Sequence, residues 1–195
     1  MSKLLIGAGI IFIGLAVAGA AWAWSVRDIE TPKYAVQVSD GAFEVRAYPK
    51  LVVASIQKSG DRDTAVRRAF SPLASYIFAK ERTGEKIAMT APVTQTPEAD
   101  QWTVSFIMPA GKTLDDLPQP EQAITLQEVQ PRVLASFRFS GRWTDAKFSE
   151  ASDKLKAWVQ SQGLTPRGEV EFAYYNDPFT PPFLRRNEVL IEVAR

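Results

Sequence analysis

The feature that most limits how this chain can fold is an internal repeat. Val53-Ala54-Ser55 through Ser59-Gly60 matches Leu134-Ala135-Ser136 through Ser140-Gly141 at a constant offset of 81 residues, the spacing from Ala54 to Ala135 and from Gly60 to Gly141. The surrounding pattern repeats as well. Phe43 to Tyr48 alternates at period two, Pro49-Lys50 signals a turn, and Leu51 to Gln57 is a β-rich run. Gly60 to Thr64 offers helix N-caps, and the stretch to Lys80 is helical in character. Ile87 to Gln95 and Trp102 to Met108 read as strands, and residues 109–122 as a loop rich in Pro, Gly and Asp. The order then recurs. Ile124 to Val129 and Val133 to Phe139 read as strands, and Gly141 to Asp145 as a helix entry. Phe148, Ala151, Leu155, Trp158 and Val159 form one apolar helical stripe, with Gly163 as its C-cap. Strands near Val170 to Tyr175 and Glu188 to Val193 complete the second half. Two copies cannot make a solenoid. The repeat therefore predicts one pseudo-symmetric α+β domain of eight strands and two helices. Each half's sheet lies under its own helix, and the two sheets join around a shared core or groove.

Pro72 falls inside the first helical stretch, where it removes a hydrogen bond, while Ser71-Pro72 also reads as an N-cap followed by N1. The expectation is a kink or break there. Leu73 to Lys80 is then the better helix, and Arg67, Phe70 and Ser71 lie just before its N-terminus. Pro92 cannot donate to a ladder and marks an edge or a bulge.

Outside the repeat, residues 4–24 carry no charge and are rich in Ile, Leu, Ala and Gly. As a helix this run spans about 30 Å, the thickness of a bilayer core. Trp22 and Trp24 sit at its far end, and Arg27, Asp28 and Glu30 close it. The sequence is read as residues 1–26, an N-terminal membrane anchor, and residues 27–195, the folded domain. A cleaved signal peptide is the alternative, offered by Ala18-Gly19-Ala20 and Ala21-Trp22-Ala23, although its apolar core would be unusually long. Lys3 favours a cytoplasmic N-terminus, which makes this a single-pass protein of the inner membrane with a periplasmic domain. Beyond residue 24 the acidic and basic residues balance, because Lys3 is the one charge before it and the whole chain has 23 Lys+Arg against 22 Asp+Glu. A neutral domain gives no reason to expect nucleic acid as a partner. The chain has neither cysteine nor histidine. That excludes disulfides, thiolate zinc sites, Fe–S clusters, Ser/Cys–His catalysis and histidine-ligated haem.

Lys86-Ile87-Ala88-Met89-Thr90-Ala91-Pro92-Val93 resembles the signature strand of the SOUL haem-binding protein family. Further matches are Tyr34 with Phe43 to Arg46, Phe70 to Ile77, Phe106 to Pro109, Tyr174 to Phe183, and Arg186 to Val189. The resemblance covers roughly residues 30–195. It implies a duplicated fold, a distorted barrel with two helices, akin to the effector-binding domains of some bacterial regulators. It also implies non-enzymatic binding of haem or another tetrapyrrole in a shallow apolar groove beside the first helix. Carried onto this sequence, the groove has Arg67, Phe70, Ser71 and Ala74 on the helix side and Tyr175, Phe179 and Arg186 opposite. A flat apolar ring suits aromatic and aliphatic walls, and its carboxylates suit guanidinium groups.

Iron, if held by the protein, falls to Tyr174 or Tyr175, to Met89 or Met108, or to lysine. Core packing is the plainer reading of both methionines. Lys86 either reaches a propionate or is a solvated strand-end lysine. Phe70, Tyr76, Ile77 and Phe78 are most simply core. Pro178, Pro181 and Pro182 stiffen a segment that either lines the groove or packs on the barrel. Two other classes stay open. One is a binding module for a different apolar or cationic ligand, complementary to carboxylates such as Glu188 or Glu192. The other is a histidine-free enzyme, a dechelatase or hydrolase, using a carboxylate or Tyr of shifted pKa.

Overall fold

The computed structural model describes residues 29–80, 82–120 and 123–194. The candidate membrane span, 4–24, lies outside them. Among the described residues no helix is long and apolar enough to cross a membrane.

The chain forms β1 (Ala35–Asp40), β2 (Phe43–Tyr48), β3 (Leu51–Ser59), α1 (Arg62–Ile77), β4 (Val93–Glu98) and β5 (Gln101–Ile107). It continues through β6 (Thr125–Val129), β7 (Arg132–Phe139), α2 (Asp145–Ser161), β8 (Thr165–Tyr174), a 3-10 turn (Pro182–Leu184) and β9 (Asn187–Ala194). All nine strands join one antiparallel sheet in the order β1-β2-β7-β9-β8-β4-β5-β3-β6.

Without β1 that order is a palindrome. Exchanging β2 with β6, β7 with β3, β9 with β5 and β8 with β4 reverses it, so a pseudo-twofold axis runs between β4 and β8. The registers agree: Val45 faces Ala135 across β2/β7, and the offset of 81 carries that pair onto Leu126 facing Ala54 across β6/β3. The repeat is therefore real, with three corrections. The first strand of each repeat crosses over to pair in the other half, so the halves are not two separate sheets. A ninth strand, β1, lies outside the repeat. The sheet is also open rather than a closed barrel, because the edge strands β1 and β6 pair only with β2 and β3.

The shared letters mark what the crossover needs. Ala54 is buried under α1 with Ala69, and Ala135 under α2 with Ala151, small residues that let helix and strand approach closely. The hydroxyl of Ser55 donates to the carbonyl of Thr125 on crossing strand β6 (3.3 Å), and that of Ser136 to the carbonyl of Glu44 on crossing strand β2 (3.4 Å). Those two bonds are equivalent at the same offset. Gly60 and Gly141 have φ of +109° and +121°, a turn into each helix that L side chains rarely adopt.

Phe106, Val93 and Tyr174 lie opposite one another across β5, β4 and β8, so they share a sheet face. Phe106 packs under α1 and Tyr174 under α2; both helices thus cover that face. The Asp61 carboxylate caps α1 by accepting from the Thr64 N–H (2.9 Å), and Thr144 caps α2. Contrary to the sequence expectation, α1 runs unbroken through Pro72. The carbonyl that Pro72 leaves without its helical bond belongs to Arg68, an exposed residue, so the lost bond falls on the solvent side of the helix. Arg67, Phe70 and Ser71 therefore lie in mid-helix rather than ahead of one. The expected strand from Ile87 starts only at Val93. Before it, the Ile87 N–H bonds back to the Ile77 carbonyl (2.7 Å), and Pro92 directly precedes β4.

Candidate functional site

On the sheet face away from the helices a buried charge cluster joins β2 to β9. Glu188 is fully buried, and its carboxylate accepts from Arg46 through both oxygens (2.6 and 3.1 Å), from Arg186 (2.8 and 3.0 Å) and from the Tyr175 hydroxyl (2.9 Å). Arg46 also donates to Glu44 (2.6 Å), and its guanidinium lies over Tyr34, 4.5 Å from the ring centre. Burial by itself raises the Glu188 pKa; the bonds and charges of Arg46 and Arg186 more than offset this and leave it below the ordinary carboxylate value. Burial, reinforced by Glu188, pushes the Tyr175 phenol well up.

A second junction ties the helices together. Arg62, buried at the start of α1, donates to Asp145 at the start of α2, to the Trp143 carbonyl (2.9 Å) and to the Tyr174 hydroxyl. Tyr174 in turn donates to buried Gln95 (2.6 Å). Burial drives the Tyr174 phenol far above its usual range, and Arg62 offsets only part of that.

The residues proposed for the groove fall into separate places. Arg67, Phe70, Ser71 and Ala74 share one face of α1, at i, i+3, i+4 and i+7. Arg67 and Ser71 are exposed, Ala74 is half-buried, and Phe70 is 45% exposed, its ring in a T-shaped contact with Phe106. Among the described residues Arg67 makes one side-chain bond, to the Thr64 hydroxyl (3.4 Å). Tyr76 and Ile77 are core, whereas Phe78 is partly exposed like Phe70. Lys86 is exposed beyond the helix. Tyr174 packs on the helix face of the sheet and Tyr175 on the other, so the two tyrosines cannot line one groove. Tyr175 and Arg186 do come together, with the guanidinium 3.8 Å from the ring centre, but around Glu188. Phe179 is 87% exposed on the segment between β8 and β9 and does not pack on the sheet. Met108 is buried and Met89 packs against the α1 core, both in their structural roles.

Arg46 and Arg62 are the members that sequence reading missed. Their partners lie 142 and 83 residues away, and no local pattern announces them. Among the described residues no three carboxylates gather as a metal site. A cleft of about 450 Å³ lies elsewhere, lined by Gln37, Val45, Val133, Leu164, Val193 and Ala194. The repeat equivalents of Val45 and Val133, Leu126 and Val52, are instead covered by a core that includes Leu114, Leu117 and Ile124.

Human Heme-binding protein 2 is 29% identical over 185 residues, covering 88% of this chain and 89% of the relative. The EcmrR C-terminal domain superposes with a TM-score of 0.63 at 13% identity, covering 78% of this chain and 97% of that one. A structure described as a hydrolase from Listeria innocua gives 0.57 at 13% identity, covering 81% and 94%. At those identities the two structures speak for the fold alone. The SOUL heme-binding protein model matches residues 29–192, nearly the whole described domain with both repeats, so the chain belongs to the SOUL heme-binding protein family.

Proposed function

We propose that this protein binds haem or a related tetrapyrrole without catalysing a reaction, along the exposed face of α1. The observation that carries the reading is the strip itself. Among the described residues the Arg67 guanidinium bonds only to Thr64, and it stands beside a half-exposed phenyl ring and a bare turn of helix at Ser71 and Ala74. That combination suits a flat apolar macrocycle with carboxylate arms. Family membership and the relative's name, Heme-binding protein 2, support the ligand class.

Bound haem supplies an iron centre; this chain's residues supply a surface and a counter-charge. The donor set argues against ligation of iron by tyrosine, because Tyr174 and Tyr175 are committed to Gln95, Arg62 and Glu188 and both are held protonated. The buried sulfur of Met108 is enclosed by core. We therefore assign recognition to Arg67 and Phe70, with Lys86 as a further contact at the rim. A cationic ligand at Glu188 is the weaker reading, since Arg46 and Arg186 already neutralise that carboxylate. An enzyme using Glu188 as a general acid is disfavoured for the same reason: its pKa moves down, not up. Residues 4–24 would hold the domain at the periplasmic side of an inner membrane.

Hemin titration tests this directly. A saturable one-to-one Soret shift is expected, weakened by Arg67→Ala and Phe70→Ser and unchanged by Tyr175→Phe. Metal-free protoporphyrin should compete on equal terms. Non-saturable, detergent-sensitive uptake would refute the assignment.

A further inference from the structure

Half of the six large apolar side chains that stand exposed among the described residues belong to one short segment: Phe179 at 87%, Phe183 at 76% and Leu184 at 59%. The segment is not held by burying them. The Asp177 carboxylate accepts from the backbone N–H of Phe179 (2.7 Å) and Thr180 (3.0 Å) and from the Thr180 hydroxyl (3.2 Å). Arg185 donates to the carbonyls of Thr180 (2.8 Å) and Pro178 (2.7 Å), and its guanidinium stacks 4.1 Å from the centre of the Trp143 ring. The Gly141 N–H donates to the Pro182 carbonyl (2.9 Å). Polar ties and three prolines thus fix a shape that turns its apolar tips outward. Three such tips gathered on one short segment mark something that covers them.

The fold places that protrusion where the chain enters the domain. Glu30 bridges to Thr90, its carbonyl accepts from the Ala91 N–H (2.8 Å), and its carboxylate accepts from the Ala110 N–H (2.6 Å). These contacts sit just before β4. Val93 of β4 pairs with Tyr174, the last residue of β8, from which the apolar segment departs. Entry point and protrusion therefore share one end of two hydrogen-bonded strands. Five residues separate Trp24 from Glu30, a reach of about 20 Å at most. Exposed Arg142, next to Gly141, and exposed Lys112, close to Ala110, flank this end with positive charge. Nearby, the Asp177 and Glu30 carboxylates are engaged by backbone N–H groups, Asp145 by Arg62 and Asp116 by Thr113, while Asp115 is exposed close to Lys112.

We propose that the 178–184 segment is a bilayer-contact element: Phe179, Phe183 and Leu184 enter the interface of the membrane in which residues 4–24 are anchored, with the flanking cations over anionic headgroups. The contact would orient the domain against lipid instead of leaving it to swing on its tether. This rests on the anchor reading of residues 4–24 and not on the tetrapyrrole reading.

The absence of cysteine from the chain makes the test clean. Full-length Leu184→Cys, and Gln160→Cys on exposed α2 surface as the reference, are nitroxide-labelled and reconstituted in vesicles of phosphatidylcholine with phosphatidylglycerol. The label at 184 should favour collisions with oxygen over a water-soluble nickel chelate, and the label at 160 the reverse. Adding Phe183→Ser should lower the inserted-to-solvent ratio at 184 about tenfold. A label at 184 as water-accessible as that at 160, with the protein retained by vesicles at alkaline pH, overturns the proposal. Release of the protein at alkaline pH overturns the anchor and the proposal with it. Hemin titration of the same samples reports the tetrapyrrole site independently.

Discussion

Replacing Glu188 by Gln keeps its shape and removes its charge from between Arg46 and Arg186. Glu188 is fully buried and Arg46 is 3% exposed, so Arg46 is left with Glu44 as its remaining counter-charge. Breaking a buried pair by removing one partner costs about 3–5 kcal/mol. Arg186, partly exposed, recovers some hydration, which favours the lower part of that range. Against a total stability of about 5–15 kcal/mol the loss is large. For a domain of this size it corresponds to a Tm lower by about 6–20 °C. Thermal and urea unfolding of the purified protein, followed by circular dichroism, measure it. The Arg46→Met, Glu188→Gln double variant should lose less than the sum of the singles by about 1–3 kcal/mol, because each single already spoils the same contact.

The pH dependence supplies a second readout. The folded-state pKa of Glu188 is depressed, so its contribution is present above the ordinary value of 4.5 and is lost as pH falls through the lower folded value. Wild-type stability should fall on that acid limb, and Glu188→Gln should flatten it. A variant within about 2 °C of wild type, or one that keeps the full acid limb, would refute the reasoning.

Alkaline ultraviolet titration should find Tyr48 ionising near pH 12, because burial raises it more than Arg46 lowers it, with Tyr174 and Tyr175 later still. For Tyr48 the sign is the reverse of Glu188: its stabilisation holds below pH 10 and is lost as pH rises through about 12. Leu73→Ala under α1 and Leu155→Ala under α2, both fully buried, should each cost about 2–5 kcal/mol in urea unfolding. Equal severity would show that both halves carry the core. Gly60→Ala and Gly141→Ala should fall toward the upper end of about 1–3 kcal/mol, since their backbone angles lie outside the left-handed helical well. Gly163→Ala, with φ of +67° and open space around it, should cost only about 1 kcal/mol in the same assay.

The sequence by itself determined the repeat, the order of its strands and helices, and the segments 60–64 and 141–145 where the helices begin, because these are written in short-range periodicity and in residues that satisfy their neighbours' backbone; the structure picked Asp61 and Thr144 as the caps. It also determined, through the missing histidines and cysteines, which chemistries no fold of this chain can perform. The α1 strip was not legible in local pattern: Arg67, Phe70, Ser71 and Ala74 came from the family resemblance, and the first three were expected ahead of a helix on whose middle they in fact lie. Pro72 was misread because the consequence of one lost helical bond depends on whether solvent reaches the freed carbonyl. Only the tertiary structure decided that β2 and β6 cross between the halves, which leaves an open sheet with β1 at its edge. It alone separated Tyr174 from Tyr175, and it alone engaged Arg186 with Glu188 and left Phe179 bare. Pairings such as Arg46 with Glu188 join residues 142 positions apart; strand register sets them, and register is a property of the assembled sheet that no local pattern carries.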